Sequence, residues 1–175
     1  MSSSPATPVF QSLACTFAFW TLRLWLGFRA LFAGLEKYAG KSTEKVPLLD
    51  EFGNPDISGA MVALDKNVYG LSHYHALPPS LASDLAAEPF IPGWALSAYS
   101  AVLGPALILL GLALLAGFAS RVTLFLMGLV YTSLTIGLIL LNQDAGIAWL
   151  AIHVLMVAAA LKLVEHNRLS ILSKW

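Results

Sequence analysis

Three side chains that hydrogen-bond or carry charge lie inside otherwise apolar stretches of this chain: Arg29, Tyr131 and His153. Charged and polar groups are costly in an apolar medium, so they face protein or a water-filled cavity more often than lipid. Arginine stays charged at any physiological pH, and histidine changes charge near neutrality. Glu36 lies two turns beyond Arg29 on the same helical face, which allows a ladder of opposite charges along an outward-facing cleft. Together these residues support two readings. One is a polar pocket for an oxygen-rich head group, such as a quinone, or for a proton relay. The other is an interhelical hydrogen-bond network that fixes packing.

The elements that carry these residues are long apolar runs. The chain has 175 residues, 58% of them hydrophobic and 11% charged. Its mean hydropathy is +0.74. A soluble domain needs about a quarter of its residues charged to cover its surface, and the deficit disappears if most of the surface meets lipid. A spanning helix needs roughly 20 apolar residues to cross a hydrocarbon core about 30 Å thick. Four stretches qualify, at about 16–38, 94–118, 121–141 and 145–164, and none shows the alternation of a β-barrel strand. The expected fold is therefore all-α: one membrane domain over residues 1–175, with four transmembrane helices. Arg29, Tyr131 and His153 come from three of those helices at similar depth. The first run is too long for a cleaved signal peptide, has no basic flank before it, and contains Arg23 and Arg29.

The links between runs differ. Ala119-Ser120 and Asn142-Gln143-Asp144 are short enough to force antiparallel neighbours. Between the first and second runs lies an outer segment, 39–93, rich in proline and charge. A structureless loop of that length would be unusual, so short helices are expected within it. Leu81 to Ala87 is the better candidate, begun by Pro79-Ser80 and stopped before Pro89; Ile57 to Val68 is the weaker one. Arg121, Lys162, Arg168 and Lys174 lie at the second link and the C-terminus, while the outer segment is net negative. The positive-inside rule then places both termini in the cytoplasm and the long segment outside. Gly27, Ala30 and Gly34 share a face of the first run, and Gly104 and Gly111 share a face of the second, as close helix packing in lipid requires. Arg23 and Lys162 are expected to snorkel toward lipid phosphates.

Several chemistries lack their residues. One cysteine, Cys15, excludes an intrachain disulfide. There is no covalent-haem motif, no iron–sulfur cysteine set, no phosphate loop and no dinucleotide fingerprint. This chain alone is expected to carry no redox centre, no catalysis of its own is evident, and no basic patch suggests nucleic acid. His73-Tyr74-His75, with Asp84 and Glu88, falls short of a convincing metal set, so none is assigned.

The first run reads Leu22-Arg23-Leu24-Trp25-Leu26-Gly27-Phe28-Arg29-Ala30-Leu31-Phe32-Ala33-Gly34-Leu35-Glu36-Lys37. This resembles the opening of the DoxX/DoxD-like membrane proteins, with an arginine, a glycine four later, an aromatic and Gly-x-x-Lys. Leu109-Leu110-Gly111 through Leu115-Ala116-Gly117-Phe118-Ala119-Ser120-Arg121 is similar to that family's second signature, and Asn167-Arg168-Leu169-Ser170 to its tail. By motif, Arg23, Gly27, Gly34, Lys37 and Arg121 carry over, while the long outer segment departs from the compact family pattern. That family includes the small membrane subunit of thiosulfate:quinone oxidoreductase. The resemblance implies a membrane subunit of a quinone-linked oxidoreductase or respiratory electron-transfer complex in a prokaryotic inner membrane, in contact with lipid and other redox subunits. The alternative is a non-catalytic anchor or accessory subunit packed against a larger membrane complex.

Overall fold

The computed structural model describes residues 8–48, 53–54, 58–167 and 171. Helix α1 (Pro8–Glu36) is followed by an antiparallel hairpin of β1 (Ala39–Pro47) and β2 (Met61–Tyr69). A short 3-10 turn and helix α2 (Pro79–Ala87) then lead into α3 (Gly93–Ala116), α4 (Ser120–Leu140) and α5 (Asp144–Leu163). The three C-terminal apolar runs match α3, α4 and α5 to within two residues at each end. Helix α1 begins eight residues before the expected Thr16 and ends two before Tyr38.

Among the described residues three helices are long and apolar enough to cross a membrane: Gly93–Ala116, Ser120–Leu140 and Asp144–His166. Helix α1 has the length, but Arg23 and Arg29 within it lower its hydropathy below theirs. Much of the surface these helices present outward is apolar, with Leu109, Phe125, Leu129, Ile139, Trp149 and Leu155 all exposed. Water would penalise that surface and hydrocarbon would not.

The expectation of an all-α chain is corrected by the hairpin. Ala39 pairs with Tyr69 and Pro47 with Met61, so Met61–Tyr69, expected as the later part of a helix over Ile57 to Val68, is a strand. Ile57 itself, like Asp50, Glu51, Pro55 and Asp56, lies outside the described residues. Val62, Leu64 and Val68 on one strand and Thr43 and Val46 on the other suit a pleated surface. Thr43 also donates its hydroxyl to Asp65 across the ladder at 2.9 Å. β2 is exposed along its whole length, so the hairpin owes little to a core. The other helix expected in the outer segment is present as α2, with Pro79 at its start and Leu85 buried.

The long helices pack in a closed order: α1 on α3, α3 on α4, α4 on α5, and α5 back on α1. The tightest seam is α1 on α3, and glycines make it. A Cβ on Gly111 would lie 2.7 Å from the Leu31 nitrogen and 2.9 Å from the Gly27 carbonyl oxygen. A Cβ on Gly34 would lie 2.9 Å from the Ile108 nitrogen and 3.1 Å from the Gly104 oxygen. The expected small-residue faces thus meet each other.

The α3–α4 turn is closed by Gly117, whose φ of 78° puts it in the left-handed region. The Phe118 and Gly117 amides donate back to the Ala113 and Leu114 carbonyls at 2.8 and 3.1 Å, a Schellman pair. Arg23 completes that helix end. Its Nε donates to the Leu114 carbonyl at 2.7 Å and its Nη2 to the Leu115 carbonyl at 2.8 Å. Nη1 reaches the Asn167 side-chain oxygen at 3.0 Å, and the guanidinium sits 4.6 Å from the Trp20 ring centre. Arg23 is 2% exposed. The expectation that it snorkels is therefore corrected: a cation fixed at the negative end of a helix dipole by two backbone carbonyls and Asn167 is held better by protein than by lipid phosphate.

The segment between α1 and α3 is tied to α3 by Tyr74. Its hydroxyl donates to the Ser100 carbonyl and accepts from the Gly104 amide at 3.2 Å, one residue before Pro105. A Cβ on Gly104 would lie 2.5 Å from the Tyr74 ring, so only glycine admits the tyrosine. Tyr38 packs on the same ring with centroids 4.8 Å apart. Replacing Tyr74 by phenylalanine keeps the ring and removes both hydrogen bonds. We expect a loss of about 1 kcal/mol in stability, together with faster amide exchange across residues 70–77, read by hydrogen–deuterium exchange.

Candidate functional site

Helical spacing puts two or more residues from each long helix on one cavity. Arg29, Ala33 and Lys37 follow at four-residue steps along α1 and just past its end, with Glu36 beside Lys37. Leu103 and Leu107 are four apart on α3, Tyr131 and Leu134 three apart on α4, and Leu150 and His153 three apart on α5. Side chains three and four apart share a helix face. The ten residues enclose a cavity of about 200 Å³.

The four residues singled out from sequence, Arg29, Glu36, Tyr131 and His153, therefore line the same cavity. Arg29 and Glu36 are exposed, whereas Tyr131 and His153 are 5% and 9% exposed. One end of the site is thus charged and accessible, and the other is buried. The walls between them are leucine and alanine.

The buried end has unmet hydrogen-bonding capacity. The Tyr131 and His153 rings lie 5.3 Å apart, centre to centre, tilted by 59°. His153 Nδ1 lies 2.8 Å from the Trp149 carbonyl oxygen. The Tyr131 hydroxyl and His153 Nε2 are both buried with no hydrogen-bond partner among the described residues. Native structures pair nearly all such atoms, so two exceptions on one cavity call for a physical reason.

Some residues of the site were not anticipated. Lys37 enters the sequence reading only through the Gly-x-x-Lys motif, and the structure adds it to the cavity lining. The leucine wall from α3 carries no signal in sequence, because leucines cover every face of that helix. Thr132, Ser133 and Thr135, which follow Tyr131 in the chain, bond elsewhere. Thr132 and Thr135 donate to the carbonyls of Gly128 and Tyr131, four residues back, both at 2.8 Å. Ser133 meets the Tyr99 hydroxyl at 3.0 Å, joining α3 to α4.

No metal cluster forms: among the described residues no group of three or more His, Cys, Asp or Glu side chains converges. His75 Nδ1 lies 2.8 Å from the His73 carbonyl oxygen, and the His73 ring packs on Gly40.

In comparisons with protein-family models, curated proteins and solved structures, nothing matches this chain.

Proposed function

We propose that the chain is a membrane subunit of a quinone-linked oxidoreductase or respiratory electron-transfer complex, related to the DoxX/DoxD-like proteins it resembles. Helices α1, α3, α4 and α5 form a four-helix transmembrane bundle in a prokaryotic inner membrane, with both termini cytoplasmic and the hairpin and α2 outside. It carries no redox centre of its own. Its cavity receives the head group of a quinone whose electrons are exchanged at a neighbouring subunit.

The observation that carries this reading is the cavity's composition: buried, unpartnered Tyr131 and His153 at one end, leucine walls, and Arg29 with Glu36 and Lys37 at the other. Its volume of about 200 Å³ falls below the range of about 300–1,000 Å³ usual for drug-sized ligands. It suits a single polar ring rather than a whole lipid. A nearly apolar groove between α3 and α4, lined by Ala106, Leu109, Leu110, Leu126, Leu129, Val130 and Ser133, suits an acyl or prenyl tail.

Arg29→Leu tests the reading. Arg29 is exposed, so the variant is expected to assemble and melt as the wild type does. Loss of a charge-assisted hydrogen bond to a quinone oxygen should weaken quinone binding roughly tenfold, measured by titration of the purified protein in lipid nanodiscs. Unchanged affinity would count against the site. Disassembly of the complex would favour the second reading, a non-catalytic anchor. That reading draws on the hairpin, where Met61, Leu64 and Tyr69 are exposed and free to meet a partner subunit.

A further inference from the structure

The buried end of the cavity specifies more than a ring. The Trp149 carbonyl oxygen only accepts hydrogen bonds, so His153 Nδ1, 2.8 Å from it, must carry the proton. In the neutral imidazole, Nε2 is then a bare lone pair, buried and unpartnered. Beside it, the Tyr131 hydroxyl has a proton to donate and is equally buried and unpartnered. One atom meets both demands if it donates to Nε2 and accepts from Tyr131. A hydroxyl does this. A carbonyl or a carboxylate accepts only, and leaves Nε2 without a donor. Protonating Nε2 would let a carbonyl serve, but it would put a third cation on a cavity that Arg29 and Lys37 already line, against one carboxylate, Glu36. Water meets the same two demands, but the leucine walls give a hydroxyl on an apolar body contacts that water does not use, and the cavity's volume limits that body to about a ring.

We infer that the Tyr131–His153 end of the cavity selects a ring-borne hydroxyl, and so binds the reduced, quinol form of its ligand in preference to the quinone. This rests on the quinone reading given above and adds the redox form recognised. Nε2 accepts the ring hydroxyl's proton in a hydrogen bond, Tyr131 donates to the same oxygen, and Trp149 fixes the imidazole tautomer from behind. His153 and Tyr131 are thus specificity-determining residues, with no bond made or broken in the binding step.

The experiment is anaerobic calorimetric titration of the full chain in nanodiscs with a short-tailed benzoquinol and, separately, the matching benzoquinone. The wild type should bind the quinol about tenfold or more tightly. His153→Leu should remove the preference, so that both forms bind alike. Tyr131→Phe should weaken both forms, because each offers an acceptor oxygen. The wild-type ratio is informative even where a variant fails to fold. Equal wild-type affinity for the two forms would overturn the inference and leave the quinone site standing. Binding of neither form would overturn both. A Tyr131→Phe variant that melts lower but keeps wild-type quinol affinity would also overturn the inference, because it would mean that the two side chains pair with each other.

Discussion

Replacing Arg23 by leucine is expected to produce the largest loss of stability of any single change to a side chain here. The substitution leaves the Leu115 carbonyl and the Asn167 side-chain oxygen without their guanidinium donor, and the Leu114 carbonyl with only the Gly117 amide, in a site 2% exposed. An unsatisfied buried polar group costs about 1–3 kcal/mol, so a total near 4 kcal/mol is expected. Asn167 also donates to the Ser120 hydroxyl at 2.9 Å, so the loss should spread to the start of α4. Arg23→Lys keeps the charge near the end of the α3 dipole but cannot reproduce the fork, and should recover less than half. Thermal melting in a mild detergent measures both. A snorkelling arginine would tolerate lysine fully, so wild-type stability in Arg23→Lys would contradict the capping role.

Gly111→Leu is expected to be comparably severe, for a different reason. The added Cβ alone would approach the Leu31 and Gly27 backbone to 2.7 and 2.9 Å. Backbone cannot rotate aside as a side chain can, so α1 must move away from α3. Overpacking of this kind costs about 1–3 kcal/mol or more. Separating the helices also displaces Arg29 and Ala33 from Leu103 and Leu107 across the cavity. Gly111→Leu should therefore lower the melting temperature and weaken quinone binding together, whereas Arg29→Leu should weaken binding alone. Gly128→Ala is a fitting control: its Cβ would meet only a Val157 methyl, at 3.3 Å.

Much of this architecture was legible in sequence because hydrophobic length is a robust signal. Continuous apolar runs interrupted at Gly117 to Ser120 and Asn142 to Asp144 place α3, α4 and α5 nearly to the residue. Glycines at Gly27, Gly34, Gly104 and Gly111 mark the α1–α3 seam by spacing alone. The site residues were legible for the same reason: Arg29, Tyr131 and His153 stand out against apolar surroundings, and depth along each run places them together. Three features were hidden. The hairpin is held mainly by its own ladder, and Thr43, Val46, Val62 and Val68 give only a weak β-pattern within a charged segment. The role of Arg23 depends on a carbonyl pair 91 and 92 residues away, which no local pattern encodes. Tyr74 reads as part of a histidine pair, and its contact with Gly104 emerges only from the fold. The tail motif that supports the family resemblance lies outside the described residues beyond Asn167, as do Lys174 and Trp175.

The arrangement joins two functions of buried polarity in one small chain. At Arg23 the guanidinium is fixed by the Leu114, Leu115 and Asn167 oxygens, and the result is rigidity. At Tyr131 and His153 the polar atoms are left open beside a cavity. Sites of that kind are expected where a ligand completes the hydrogen bonding.

We propose a quinone-binding subunit of a membrane redox complex. The most direct test is mild extraction of the native membrane, affinity purification of this chain, and mass spectrometry of the proteins and lipids retained. The account predicts a prenylated quinone together with haem-, flavin- or iron–sulfur-bearing subunits, the quinone being depleted from an Arg29→Leu strain. Recovery of the chain alone or as a homo-oligomer, with no quinone, would contradict it.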